Sequence, residues 1–437
     1  MGERSFSEIV LGADARQSRS RRLYRVGEVT SVCGDLATVR VDADDAGDEV
    51  CLRDLQVLGP WAVQVGDWVE LGYLDDHPNS AYVRSPLFSE TRDPALGFKA
   101  RLTVGDWDAV VDVKGGGDFT NIQSALDAGC KTILVRKGTY SQSGANLVVS
   151  QPDVVIVGES PAAAVIDFEN TSYYLWAQNA ALRFALRNIK LINSQQSAYG
   201  ALRVSGQSSL IEGCRFDTNA RHVYVESGAD YAAIRNCIVA AGEVGAFYAT
   251  CMRFTDNRAY NTALYYLRLQ GTHNIVLGNI LRYTRIEAAG TGHLIASNIV
   301  DAGQIYLAGV YRGHVIGNHV RLTPSGIGAA IPAAASRCII QGNEIDDPAG
   351  HGIDIWGGGE NTVAGNVCHS AGQTGIITTV HRNIIHGNQI HDAAGWGVYI
   401  GSGATNNIVS NNVVRNNAGG QINDLGTGTV LDNNVTS

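Results

Sequence analysis

The chain has 437 residues, with 51 glycines, 2 methionines and only 17% charged residues, a balance that suits a turn-rich β protein and excludes coiled coil and disorder. The formal net charge of −9 gives no general attraction for nucleic acid or anionic lipid, and polyanions would need a local basic patch. No run of 18 apolar residues occurs, so no membrane insertion is expected, and the start Met1-Gly2-Glu3-Arg4-Ser5 lacks the apolar core of a secretory signal.

In chain order, residues 1–22 form an arm in which Ile9, Val10 and Leu11 precede Arg16, Arg19, Arg21 and Arg22. It reads either as a solvated tail or as a docking peptide that orders on a partner. Residues 23–86 read as five short strands, with a hairpin turn at Cys33-Gly34-Asp35, and fit a small barrel, OB-like or SH3-like. Residues 87–108 are a linker marked by Pro94 and the run Ser89–Asp93. From residue 109 to 437 the chain is dominated by a recurring step: Gly278-Asn279-Ile280, Ser297-Asn298-Ile299, Gly317-Asn318, Gly342-Asn343, Gly365-Asn366, Gly387-Asn388, Asn411-Asn412 and Asn433-Asn434. The second asparagines are 19, 20, 25, 23, 22, 24 and 22 residues apart. Looser copies run upstream through Asn257, Asn236, Gly213 and Asn188. A period near 22 with short aliphatic strands and no helical pattern specifies a solenoid, because one coil cannot bury its apolar face and must stack on the next. The fold expected is all-β: a right-handed parallel β-helix of eleven or twelve coils, three short strands each, preceded by the small barrel. Each step asparagine is expected at a turn, where it tolerates left-handed geometry.

Two resemblances follow from particular stretches. The pattern Gly27-Glu28-Val29-Thr30-Ser31-Val32, Gly34-Asp35 and Val65-Gly66-Asp67-Trp68-Val69-Glu70-Leu71 resembles small OB-type barrels of bacteriophage tail and baseplate proteins. The segment is rich in Asp, so no nucleic-acid partner is expected. Val110–Ala128, with Lys114-Gly115-Gly116-Gly117-Asp118-Phe119 at its centre, resembles the start of pectin methylesterases and of the wider pectate-lyase-like superfamily, phage tailspikes included. Its helix, expected over 119–128, would cap the open end of the first coil. The esterase resemblance implies two catalytic aspartates, but they fall on Ala220-Arg221 and near Gly245, so the scaffold is expected without pectin esterase activity.

Candidate chemistry lies in two columns. Strand alternation points Ile353 and Ile355 inward and Asp354 and Trp356 outward, with Asp354, Ile377 and Tyr399 in one stack. Arg203, Tyr224, Glu226, Tyr266, Arg268, Glu287 and Tyr306 are the outward positions upstream. Glu226, Glu287 and Asp354 are about three coils, roughly 14 Å, apart, too far for a glycosidase pair. Tyr266, Tyr306, Asp354, Trp356, Trp396 and Tyr399 are therefore candidates for stacking on sugar rings rather than for catalysis, or else outward filler or a subunit contact. The second column, three to four residues after each asparagine, holds Asp346 and Asp347, then His369 and Ser370, then His391 and Asp392. It reads plainly as exposed polar corners, and more sharply as a catalytic cluster in which a histidine between carboxylates acts as base or holds a metal. Among the eight cysteines there is no CxxC pair, and Cys214 and Cys237, one coil apart, fit an inward stack better than a disulfide framework. No metal or cofactor is expected.

The order of arm, barrel, linker and capped β-helix resembles phage tailspikes and tail fibres. That resemblance implies docking to other tail or baseplate proteins through residues 1–86, contact with host-surface polysaccharide through the β-helix, a homotrimer, and location in the virion tail after synthesis in the host cytoplasm. Three readings remain: a glycan-binding tail protein, a polysaccharide depolymerase (lyase or hydrolase), and a structural tail component without ligand.

Overall fold

The computed structural model describes residues 107–437 except 161–162, 196–197, 219–220, 241 and 323–328, and five strands within residues 25–88 by their backbone alone. The arm at 1–22, residues 89–106 of the linker expected at 87–108, and Ala220 lie outside the described residues, and the first two residues of that linker belong instead to the strand ending at Phe88. The chain divides into two units, Met1–Gly105 and Asp106–Ser437.

In the first unit Arg25–Cys33, Leu36–Val41, Val50–Val57, Trp68–Tyr73 and Ala81–Phe88 close a barrel. The first strand pairs antiparallel with the second and fourth, the second with the third, and the fourth with the fifth. The third and fifth strands run parallel and close the ring.

The second unit is a parallel β-helix. One face is a 15-stranded sheet, and a 25-stranded sheet wraps the other two. One coil runs Thr362–Ala364, Val367–His369 and Ile376–Thr378, three short strands as expected, before Ile384–His386 opens the next. The solenoid has about 14 turns, more than the asparagine step counts, because coils such as Thr132–Val135 and Val155–Gly158 precede the first copy of that step. Inward residues stack in register: Ile340, Val363, Ile385 and Val409 on one face, and Ile345, Cys368, Ile390 and Val414 on the next. All are buried, and each buried aliphatic side chain contributes roughly 1.5–3 kcal/mol. Cys214 and Cys237 are buried free thiols within this core.

The short helix Ile122–Asp127 sits at the start of the solenoid, with Ile122, Ala125 and Leu126 turned into the core. Its N-cap Asn121 accepts a 2.8 Å bond from the Ser124 amide, so it begins three residues later than the apolar pattern suggests. Phe119 instead bridges Val111 in strand fashion. The helix contacts Ala109–Val111 and Leu147–Val149, first-coil strands with coil neighbours on one side only, as a cap should.

The step asparagines occupy a different place from the one expected. The left-handed residue is the one before each of them: Gly278, Ser297, Gly317, Gly342, Gly365, Gly387, Asn411 and Asn433 have φ between 50° and 68°. The asparagine that follows turns inward and is buried from Asn257 to Asn412. Asn343 shows why. Its Oδ1 accepts from the Asn318 backbone N–H (3.0 Å) and Asn318 Nδ2 (2.9 Å), and its Nδ2 donates to the Val315 carbonyl and to Asn366 Oδ1. The same exchange repeats from Asn257 to Asn434 without a break. A turn inside a packed solenoid leaves a backbone N–H facing the core, and the amide of the next coil satisfies it. Upstream, Asn188, Gly213 and Asn236 are the left-handed residues, and Ile189, Cys214 and Cys237 take the inward slot.

A second ladder at the preceding corner uses Asn274, Asn361, Asn383 and Asn407 in the same way, with His293 and Cys338 taking that slot in other coils.

Replacing Asn343 by Ala leaves the buried Asn318 amide without its partner, while the Val315 carbonyl keeps its place in the strand ladder. We expect a stability loss of about 1–3 kcal/mol for the buried group so orphaned, read as a lower denaturant midpoint; an unchanged midpoint would show that water replaces the amide at no cost.

Candidate functional site

Cross-strand register fixes which outward side chains are neighbours. One column contains Trp176, Arg203, Tyr224, Ala246, Arg268, Glu287 and Tyr306 on consecutive coils. Further along the same sheet, Pro332, Asp354, Ile377, Tyr399 and Asn423 follow one another, which places Asp354, Ile377 and Tyr399 in one stack.

The upstream part is chemically closed. Arg203 lies over the rings of Trp176 (4.6 Å) and Tyr199 (4.1 Å) and is paired with Glu226, which also accepts from the Ser205 hydroxyl. Tyr174, Tyr199, Tyr224 and Tyr248 form an aromatic ladder with centroids 5.8, 5.6 and 5.4 Å apart. Tyr174, Tyr199 and Tyr248 escaped the sequence reading, although their successive spacings, 25 and 49 residues, lie near one and two coil periods. Arg221 binds Glu243 at 3.0 Å, and Arg268 stands 3.8 Å from the same carboxylate. Glu243 is therefore held as a counter-ion, and Gly245 beside it has no room for a side chain, since a Cβ would sit 2.8 Å from the Phe247 ring. Tyr266 is not in the column itself; it is the register partner of Arg285, whose guanidinium lies 5.6 Å from the Tyr266 ring and 4.1 Å from that of Tyr306. Each of these two rings thus already has a cation on it.

The downstream part is open. Ile353 and Ile355 are buried and Asp354 is half-buried between Pro332 and Ile377, with no ion-pair or hydrogen-bond partner among the described residues. Burial alone pushes its pKa up from 3.8 to about 6. Trp356 is 49% exposed. It is the extra residue of a β-bulge, since Ala333 pairs with Ile355 and Ala334 with Gly357. A bulge of this kind re-aims a side chain out of the sheet. Tyr399 is half-buried two coils from Asp354. Trp396 behaves differently: its ring lies against Gly420 so closely that a Cβ there would come within 2.3 Å, so it seals two coils together.

The second column is Arg282, Asp301, Arg321, Asp346, His369, His391 and Arg415. It brings Asp346, His369 and His391 onto consecutive coils. Asp347 and Asp392 follow as left-handed turn residues (φ 48° and 61°), with Ser370 between them (φ 52°). The hydrogen-bonding pattern differs from a histidine set between these carboxylates. His369 stacks on His391, with centroids 5.5 Å apart and planes 17° from parallel. The imidazole that meets two carboxylates is His319, which the sequence reading did not single out: Nε2 is 2.8 Å from Asp346 Oδ2 and Nδ1 is 3.9 Å from Glu344 Oε2. Of the other histidines near this stretch, His351 accepts from the Thr374 amide at 3.1 Å and burial lowers its pKa. His381 bonds the Thr405 hydroxyl, and His386 is on the opposite sheet.

Comparison with known proteins bears on the fold. Residues 303–437 match the family model for a right handed beta helix region. No curated protein matches the chain in sequence. Among solved structures, the chain resembles the catalytic unit of a thermostable GH87 α-1,3-glucanase from Streptomyces thermodiastaticus strain HF3-3, with 13% identity over 95% of this chain and 87% of that one and a TM-score of 0.51. It also resembles tailspike protein 3 of Bacteriophage CBA120, with 15% identity over 72% of this chain and a TM-score of 0.51, but spans only 57% of the tailspike's length. A PL6 family polysaccharide lyase from Pseudopedobacter saltans is 13% identical over 70% of this chain and 87% of that one, with a TM-score of 0.45. At such identities the likeness to the first two shows a shared fold and nothing more.

Asp354 makes a pH prediction. A carboxyl whose pKa is raised on folding binds more protons when folded, so stability falls as pH rises from 3.8 through about 6 and is level above that. We expect Asp354→Asn to be more stable than the parent at pH 7, by a margin that grows as pH rises from 3.8 through about 6, measured by denaturant unfolding of both proteins across the range; a margin that does not change with pH would contradict the burial argument.

Proposed function

We propose that this chain is a phage tail protein, of tailspike, tail-fibre or baseplate type, that holds host-surface polysaccharide on the open part of its β-helix. One observation carries the reading: Asp354, Trp356 and Tyr399 form an outward surface with a bulge-presented indole and a carboxyl without a counter-ion, whereas the upstream aromatics carry guanidinium groups. Flat apolar rings beside a lone hydrogen-bonding group suit a sugar's C–H face and hydroxyls. Residues 1–86 are assigned to docking on other tail or baseplate proteins. The five-strand order of the barrel supports its OB-like reading, and the tailspike among the structural neighbours supports the setting. A homotrimer around a three-fold axis would give three such surfaces and avidity. In this reading the protein acts from the virion tail.

A second reading, a polysaccharide depolymerase, is favoured by one feature. Asp346, His319, His369 and His391 bring an acid and three imidazoles together on neighbouring coils, groups able to exchange protons with a glycan. The α-1,3-glucanase catalytic unit among the structural neighbours supports it to the same degree as the tailspike supports the first.

The purified protein is incubated with capsular, cell-wall and pectic polysaccharides while binding and chain length are followed together. We expect binding to at least one of them, weakened about tenfold or more, or roughly 1.4 kcal/mol, by Trp356→Ala and by Tyr399→Ala. Chains that shorten with the parent but not with Asp346→Asn or His369→Ala would make the protein a depolymerase. No binding to any surface polysaccharide, with tail assembly failing when residues 1–86 are removed, would leave a structural role and overturn the proposal.

A further inference from the structure

Several acids on this solenoid are held by permanent cations. Glu212 stands between Arg187 and Arg235, Asp217 between Lys190 and Arg215, and Glu360 between Arg337 and Arg382. Glu344 and Asp346 are not among them. They project from one strand, two residues apart, and no lysine or arginine among the described residues pairs with either. Arg321 is the register neighbour of Asp346 and would be its natural partner, but its Nε lies 3.3 Å from Asp301 on the coil before. The one group that meets both carboxylates is the neutral-capable imidazole of His319. One ligand atom from each of His319, Glu344 and Asp346 lies within 4.8 Å of the other two. His369 follows on the next coil in register with Asp346.

We propose that His319, Glu344 and Asp346 form a binding site for a divalent transition-metal ion of the Zn²⁺ type, clamping two successive coils. Two carboxylates supply the anionic charge that such an ion neutralises, and neither is taken by the neighbouring Arg321, which pairs with Asp301. The imidazole nitrogen selects against Ca²⁺ and Mg²⁺, whose shells are built of oxygen. Three protein ligands leave a position open to water or to a ligand oxygen, the arrangement of reactive rather than closed structural zinc sites. No local spacing announces the site, because His319 comes from one coil and Glu344 and Asp346 from the next, and register alone joins them. The proposal is independent of the glycan reading and is tested without glycan.

The full-length protein, freed of metal with a chelator, is titrated with Co²⁺ as a visible-absorbing stand-in for Zn²⁺, then with Zn²⁺ and Ca²⁺ as competitors. We expect d–d absorption to develop and saturate, Zn²⁺ to displace the Co²⁺, and Ca²⁺ at the same concentration not to. His319→Ala and Glu344→Gln should each weaken uptake by about tenfold or more, whereas His314→Ala, on the opposite sheet, should not. All of these positions are at the surface, and circular dichroism checks that each variant is folded. No Co²⁺ uptake, uptake unaffected by His319→Ala, or ready displacement by Ca²⁺ would overturn the site.

Discussion

The molecule depends on one repeated hydrogen bond: the side-chain oxygen of an inward asparagine accepting the buried backbone N–H of the coil before it. A solenoid corner must turn the chain sharply, and the left-handed residue that does so points an amide into the core. Left unpaired, that amide costs as much as a lost hydrogen bond at every coil. The asparagine ladder removes the cost from Asn257 to Asn434, and because Oδ1 and Nδ2 each make two contacts, it admits one register only. A one-residue slip would present an aliphatic side chain to the amide and an asparagine to water.

That registration is what gives the outer surface meaning. Columns of outward side chains are chemically coherent only if coils stack without slippage. With register fixed, Arg203, Arg268 and Arg285 close their aromatic neighbours into cation–π and ion-pair networks, while Asp354, Trp356 and Tyr399 stay open. The same constraint sets His319 beside Glu344 and, across the strand, within reach of Asp346. The proposed sugar-binding surface and the proposed metal site would thus be two uses of one scaffold, on different faces of the same coils.

Much of this was legible in the sequence because the Gly-Asn-aliphatic step is a local signal. The parallel β-helix, three strands per coil and the stacking of Asp354, Ile377 and Tyr399 all follow from its period. Sequence could not tell which residue of Gly-Asn turns left-handed, since both tolerate it; the choice is made by which one faces the core. The second ladder was hidden because its left-handed positions are occupied by Glu360 and Arg382 rather than glycine, although Asn361, Asn383 and Asn407 each stand five residues before a first-ladder asparagine. His319 was overlooked although it follows Asn318 directly, as Glu344 follows Asn343, and that shared offset makes the two cross-strand neighbours. Closed and open aromatics differ only by guanidinium groups brought from adjacent coils, which no single-coil pattern reveals.

The central functional claim is that glycan lies along the open column rather than elsewhere on the solenoid. The most direct measurement is an experimental structure of the protein with an oligosaccharide cut from whichever surface polysaccharide it retains. The account predicts sugar rings stacked on Trp356 and Tyr399 with a hydroxyl on Asp354. Sugar seated instead on the Tyr174–Tyr248 ladder, or only between subunits away from this column, would contradict it.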